Sequence, residues 1–177
     1  MVSKKAIALV TGALAVGGAA VYFSHNPFSP YFSYSYGRID YRGKTVVDIG
    51  AFDGDSASFF LNRGATSVIA FESDQRINAK LIEKFKDDRR VVAMGSWNGQ
   101  PIYGDVLKMD CEGCEVNLTQ SLLAQYPEYV IGLHPDALGP QRYESIVKMI
   151  AATGGDYWGM EYFWSREMIF GKKLRTI

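Results

Sequence analysis

From Thr45 onward the chain alternates short apolar, β-branched runs with amphipathic stretches. Thr45–Ile49 (TVVDI), Ser67–Phe71 (SVIAF), Arg90–Met94, Val106–Met109 and Tyr129–Leu133 have the length and composition of buried strands. Ser56–Arg63 and Gln75–Phe85 lie between the first three. In the second of these, Ile77, Leu81, Ile82 and Phe85 fall at i, i+4, i+5 and i+8, which predicts a helix with one apolar face. Tyr143–Ala152 places Ile146, Val147 and Ile150 on one helical face, and Tyr157–Trp164 with Glu167–Phe170 read as two closing strands turning near Ser165. Repeated β-α units whose strands are apolar throughout predict a parallel sheet with helices on both faces. Ligands in such sheets bind beyond the C-terminal ends of the strands, so the residues just after each strand carry the chemical information.

The pattern breaks at the N-terminus. Ala6–Phe23 (AIALVTGALAVGGAAVYF) holds no charged residue over 18 positions and follows Lys4-Lys5. As a helix it would span about 27 Å, close to the ~30 Å hydrocarbon core of a bilayer. Tyr22, Phe23, Phe28, Tyr31, Phe32, Tyr34 and Tyr36 follow it like an interfacial belt. Three readings stand open: a membrane anchor; a cleaved signal peptide with small-residue sites at Ala13-Leu14-Ala15 and Gly18-Ala19-Ala20; or an apolar helix packed on the domain or a partner. Gly17, Gly18 and Thr11 weigh against the bilayer. Residues 24–37 (SHNPFSPYFSYSYG) read as an aromatic, Pro-containing linker in which Pro27 and Pro30 forbid a continued helix. The expected organisation is an apolar segment over 1–23, a linker over 24–37 and one α/β domain over 38–177.

Composition narrows the function classes. A chain of 177 residues that is 47% hydrophobic can bury one substantial core. Net charge is zero, with no basic run and no nucleic-acid motif, which argues against DNA or RNA as a partner. The two cysteines form no disulfide framework, so they fit a reducing compartment better than an oxidising one.

The first strand runs into VVDIGAFDGDSAS, residues 46 to 58. Gly50 and Gly54 permit a tight strand-to-helix turn and close approach of a ligand to Ala51 and its neighbours. A pyrophosphate seeks bare N–H groups and no nearby negative charge. Here Asp48, Asp53 and Asp55 crowd the turn, an arrangement suited to a cationic ligand such as the sulfonium and ammonium of S-adenosylmethionine. The competing reading, in which Asp55 or Ser56 only caps the helix, leaves Asp48 unexplained. The second strand ends at Glu72-Ser73, and Glu72 lies 24 residues after Asp48, near the offset at which an acid reaches a ribose diol in this architecture. Ser96, after the third strand, falls on the same rim.

The fourth strand ends in KMDCEGCEV, where Cys111 and Cys114 form a C-x-x-C among Asp110, Glu112 and Glu115. A zinc site needs two further ligands, and besides carboxylates only His25 and His134 are offered, so no metal is expected. A thioredoxin-like pair would open a helix in another βα context. The acids then matter more than the thiols.

DIGAFDGDSASFF, VIAFESD, LKMDCEGCE and VIGLHPDALG, in this order over about residues 39 to 172, resemble the FkbM-like branch of S-adenosylmethionine-dependent methyltransferases. The family pattern has a DIGA-x-x-G turn, a FEP-like strand end and a K-[IM]-D-x-E-G-x-E segment. The resemblance implies a Rossmann-like class I fold with an antiparallel last strand, and methyl transfer to a hydroxyl oxygen of a glycan, lipid-linked or other small acceptor. It places Asp48, Gly50 and Gly54 at the methionine end of the cofactor, Glu72 on the ribose, and Asp110 with Glu112 beside the reacting centre. The cysteines occupy its variable positions. Asp110 and His134 are candidate bases, His134 equally readable as ordering the Pro135-Asp136 turn, while Trp97 and Tyr103 are candidate walls for adenine or acceptor. Residues 95–105 are shorter than the pattern leads one to expect, which keeps open a catalytically silent module serving as a membrane-associated interaction or assembly protein. Because S-adenosylmethionine is made in the cytosol, an enzyme is expected to be cytoplasmic, or membrane-associated through residues 6–23 with its catalytic domain facing the cytoplasm.

Overall fold

The computed structural model of the chain describes residues 30–153, 160–163 and 166–172. Its strands are β1 (Thr45–Ile49), β2 (Ser67–Phe71), β3 (Val91–Met94), β4 (Val106–Met109), β5 (Glu128–Leu133), β6 (Met160–Phe163) and β7 (Arg166–Lys172). Its helices are α1 (Pro30–Tyr36), α2 (Asp55–Asn62), α3 (Gln75–Phe85), α4 (Gln120–Leu123), α5 (Pro135–Leu138) and α6 (Pro140–Ala151), with a 3-10 turn at Cys114–Asn117. One sheet results, in the order β3-β2-β1-β4-β5-β7-β6. The first five of these strands are parallel. β7 pairs antiparallel with β5, and β6 antiparallel with β7.

The strand order reverses between β1 and β4, so their C-terminal ends flank the topological switch point. All of β4 and β5 is buried, as a strand covered on both faces must be. Alternate residues serve two cores. Val46, Tyr41, Phe59, Phe60, Val68 and Leu81 pack on one face. Val47, Ile49, Leu107, Met109, Ile131 and Ile146 pack on the other. Each side chain of this size contributes about 1.5–3 kcal/mol when fully buried.

Two stretches depart from expectation. Pro30 does not prolong a linker but opens α1, since proline's fixed φ and missing N–H suit the first turn of a helix. Phe32 and Tyr36 of this helix are 4% and 3% exposed. Their rings lie 5.7 and 6.3 Å from that of Phe59, and Tyr36 is 5.8 Å from Phe60. Residues 30–36 therefore belong to the body of the domain, and these two rings to its core rather than to an interfacial belt. The second departure is the β3–β4 connection, where residues 95–105 form no helix. A parallel crossover ordinarily carries one. Without it, Val92 and Met94 of the edge strand are 51% and 43% exposed.

The apolar segment 6–23 lies outside the described residues, as do residues 157–159 and 164 of the expected closing strands. Among the described residues no helix is long and apolar enough to cross a membrane.

Candidate functional site

The turn after β1 is built inward. Parallel register sets Asp48 beside Lys108 of β4. Their charged groups meet at 2.8 Å, at 0% and 2% side-chain exposure. Asp48 also accepts a 2.6 Å hydrogen bond from Ser56. Lys108 donates to the carbonyls of Gly50 at 2.6 Å and Ile49 at 3.4 Å, and its ammonium sits 5.8 Å from the Tyr36 ring. A lysine in a central strand survives burial only when so paired. Asp48 is thus a structural anchor of the turn and not an open ligand group, a correction to the expectation that it faces a cationic ligand.

Gly50 has φ +79°, and a Cβ there would lie 2.1 Å from the carbonyl oxygen of Asp110. Its glycine is required by the approach of the β4 segment, where a ligand was expected. A Cβ at Gly54 would strike the side chains of Phe85 and Leu81, so this glycine seats α3. The backbone N–H groups are also spoken for. Gly50 and Ala51 both donate to the carbonyl of Phe71 at 2.9 Å. Phe52 donates to Glu72 Oε2 at 3.0 Å, while Asp74 donates to Glu72 Oε1 at 2.8 Å. Glu72 is buried and ties the two strand ends together. Asp55 opens α2 without capping it and pairs with Lys84. Asp53 Oδ1 and Asp55 Oδ2 are buried and accept no hydrogen bond from any described residue. Ser73 and Ser96 are exposed on the rim.

The turn after β4 carries a second cluster. Asp110 Oδ2 accepts a 2.6 Å hydrogen bond from the Tyr36 hydroxyl, and Oδ1 lies 3.3 Å from His134 Nε2. His134 Nδ1 lies 3.0 Å from Glu115 Oε1. Glu115, fully buried, also accepts the backbone N–H groups of Cys111 at 3.2 Å and Gly113 at 2.6 Å. Burial works against the His134 imidazolium. The hydrogen bond to Glu115 and the charges of Asp110, Glu115 and Glu112 outweigh it and hold its pKa above the ordinary value. Burial likewise pushes the Glu115 carboxyl up, but hydrogen bonds from His134 and from backbone N–H groups win and lower it. Both shifts favour an imidazolium clamped between two carboxylates. Burial, then the nearby Asp110 charge, raise the Tyr36 hydroxyl far above its ordinary range, so Tyr36 serves as a donor.

Two expectations about this turn are overturned. Glu112 points away: it is exposed, with φ +55°, and the acid that turns inward is Glu115. The cysteines are not free thiols, for Cys111 and Cys114 form a disulfide. Positive φ at both Glu112 and Gly113 folds the chain back until the two Cα atoms are 5.6 Å apart, within bridging distance.

Asp110, Gly50 and Glu72 lie around the switch point, with His134 on the far side of Asp110. Trp97 is 7% exposed and belongs to the core, its indole donating to the Gln100 carbonyl at 2.8 Å, whereas Tyr103 is 95% exposed. Sequence reasoning passed over Lys108, Glu115 and Tyr36. A single lysine inside the apolar run VLKM is the signal that marks the first. Glu115 was visible as the last acid of the same segment. Nothing local marks Tyr36, whose partner is 74 residues away.

A groove of about 460 Å³ lies apart from the glycine turn, between the 3-10 turn and α6, lined by Val116, Leu118, Arg142, Ile146 and Met149.

No protein-family model matches the chain. Among solved structures it is similar to an S-adenosylmethionine-dependent O-methyltransferase of Thermotoga maritima, with a TM-score of 0.63, 13% identity, and 82% of this chain on 65% of that one. It is also similar to Aeropyrum pernix fibrillarin with natively bound S-adenosyl-L-methionine, at TM-score 0.60 and 13% identity over 80% of this chain and 73% of that one. Fibrillarin of Methanococcus jannaschii, a pre-rRNA processing protein, gives TM-score 0.57 at 12% identity over 76% of this chain and 69% of that one. At such identities the shared property is the fold, that of Rossmann-like class I methyltransferases. Sequence relatives are nearer. Protein 158B of Sulfolobus islandicus rod-shaped virus 1 is 37% identical over an alignment of 108 positions that covers 58% of this chain and 68% of that protein. Protein 65 of a Sulfolobus islandicus filamentous virus is 34% identical over 106 residues, 58% of this chain and 67% of that protein. On these matches the chain belongs to the family that contains protein 158B and protein 65.

Proposed function

We propose that the protein is an S-adenosylmethionine-dependent methyltransferase, FkbM-like in its motifs, acting on a hydroxyl oxygen of a glycan, lipid-linked or other small acceptor. The observation that carries this reading is the chemistry of the turn after β1. The N–H groups of Gly50, Ala51 and Phe52 are already donated within the chain, so a pyrophosphate would find none of them. The buried oxygen Asp53 Oδ1 instead accepts no hydrogen bond from any described residue. An ammonium group and a ribose diol supply donors, and the acidic surroundings favour a sulfonium. The S-adenosyl-L-methionine held by the Aeropyrum protein of the same fold supports the same choice.

S-adenosylmethionine supplies an electrophilic methyl group. The chain's part is to bind and orient. Asp53 lines the methionine end, and Glu72 keeps lone pairs for the ribose beside its two backbone bonds. Ser73 and Ser96 border the adenosine side. Asp110 faces the reacting centre, its carboxylate aimed by Tyr36 and His134, and accepts the acceptor's hydroxyl proton. His134, both of whose nitrogens face carboxylates, is a positioning residue, and exposed Glu112 is no part of the reacting centre in this arrangement.

Calorimetry on the full-length chain tests the reading. Binding of S-adenosylmethionine and S-adenosylhomocysteine is expected, and absence of heat for both in folded protein sinks it. Asp110→Asn is expected to retain binding and lose methyl transfer.

One observation favours a second reading, a methyltransferase-fold module without turnover. The helix-free 95–105 connection leaves Val92 and Met94 of the edge strand bare. Cofactor binding with no effect of Asp110→Asn on any phenotype supports that module.

A further inference from the structure

We infer that the Cys111–Cys114 disulfide is a reversible redox site: a dithiol opens it, and opening it releases the clamp formed by Glu115, His134 and Asp110. As regulation of the rim, its effect on turnover rests on the methyltransferase reading; the release of the clamp does not.

The disulfide closes a ring of only four residues, Cys111, Glu112, Gly113 and Cys114. So short a loop removes less entropy from the unfolded chain than a long one, which makes stabilisation of the whole fold a weak reason for it. The local effect is larger. Glu112 and Gly113 hold φ of +55° and +127° in succession, a path that a glutamate resists and a cross-link enforces. That path aims the N–H groups of Cys111 and Gly113 at the Glu115 carboxylate. Glu115 is fully buried and in turn holds His134 Nδ1, while His134 Nε2 faces Asp110. Three further groups bear on the histidine's charge: Glu112, Asp110 and, through Asp110, Tyr36. Once the ring opens, the turn relaxes toward ordinary φ, Glu115 loses two donors, and the histidine loses its fixed partner.

The site can be reached. Both cysteines are partly exposed and Glu112 between them is exposed. In the reaction a thiolate of the dithiol attacks one sulfur and displaces the other as thiolate, giving a mixed disulfide. The second thiol of the reagent then displaces the first cysteine. Two electrons and two protons pass to Cys111 and Cys114, and the dithiol leaves as its own disulfide.

The test is an NMR titration of the His134 ring in full-length protein, oxidised and after dithiothreitol, with His25→Asn to assign the signal. The expected result is titration above the ordinary histidine value when oxidised, a shift to lower pH when two thiols per chain are released, and recovery on reoxidation. The Cys111→Ser/Cys114→Ser double variant, checked for fold by circular dichroism, is expected to follow the reduced form in either medium. Identical titration of the oxidised, reduced and double-serine proteins overturns the proposal, as does failure of the folded protein to release thiols. Methyl transfer measured in parallel is expected to fall on the order of a hundredfold on reduction. A titration that moves while no methyl transfer occurs in either state upholds the switch and counts against the enzyme reading alone.

Discussion

Two charge clusters stand side by side at the strand ends, and they are built to opposite ends. Asp48 and Lys108 belong to adjacent strands in register, and both are sealed from solvent. Glu115, His134 and Asp110 come from a 3-10 turn, the residue after β5 and the residue after β4, and the histidine keeps 12% of its side chain in solvent. The first cluster is part of the sheet and can change only if the sheet does. The second is assembled from turns and contains a histidine whose pKa its carboxylate neighbours raise above the ordinary value. Structure is thus invested in the Asp48 side of the site, and adjustability in the Asp110 side.

The sharpest way to break this contrast is to remove one partner of the sealed pair. Lys108→Met leaves Asp48 buried and uncompensated and is expected to cost about 3–5 kcal/mol in urea unfolding. Replacing both, Asp48→Leu with Lys108→Met, is expected to recover much of that loss, because an apolar pair of similar volume tolerates the site. A double variant as unstable as the single one would show that the pair does more than neutralise itself.

Next comes the contact between the two sides. Gly50→Ala forces a methyl against the Asp110 carbonyl and a left-handed φ on alanine. About 1–3 kcal/mol is expected, with Asp110 displaced as a result. A well-folded Gly50→Ala protein of native stability would mean that the turns are less closely coupled than their spacing implies.

A smaller, pH-dependent effect is expected from His134→Gln. The folded pKa of His134 lies above its ordinary 6.5, so its stabilising contribution is full below that value and is lost as pH rises through the raised pKa. The folded pKa of Glu115 lies below its ordinary 4.5, so its contribution is full above 4.5 and is lost as pH falls through the lowered pKa. The clamp is therefore strongest between these two values. The difference in melting temperature between native protein and His134→Gln should peak there and shrink in alkali. A difference that grows in alkali would contradict the imidazolium.

The smallest effect belongs to Glu112→Gly. It removes an exposed side chain from a left-handed position, and no loss of stability or cofactor affinity is expected by thermal melting and calorimetry. A large loss of affinity would return Glu112 to the reacting centre.

The same contrast explains what could be read from the residues. The strands and the glycine turn were legible because parallel strands buried on both faces are continuous apolar runs, and glycines punctuate them. Ser67–Phe71, Gln75–Phe85 and Val106–Met109 form with the bounds their patterns predict. Roles at the rim were harder. Asp48 looked like a ligand group because its partner lies 60 residues on, and nothing in TVVDI announces a lysine beside it. Choosing Glu112 over Glu115 failed because two positive φ values reverse the direction of the turn, and glutamate does not advertise that conformation. Tyr36 was hidden among four other aromatics of an apparent linker. Long-range pairing and backbone handedness, not propensity, decided these positions.

The sheet order has a consequence for how the protein is made. β7 inserts between β5 and β6, so two strands synthesised after the five parallel ones extend the sheet beyond β5. Every residue of both rim clusters, from Tyr36 to His134, has by then been synthesised. The five parallel strands can assemble around the site first, and the closing hairpin arrives to cover the open flank of β5. Until it does, β5 presents an unpaired edge that is apolar from Val130 to Leu133, the point in the life of the chain at which a nascent protein most needs shelter.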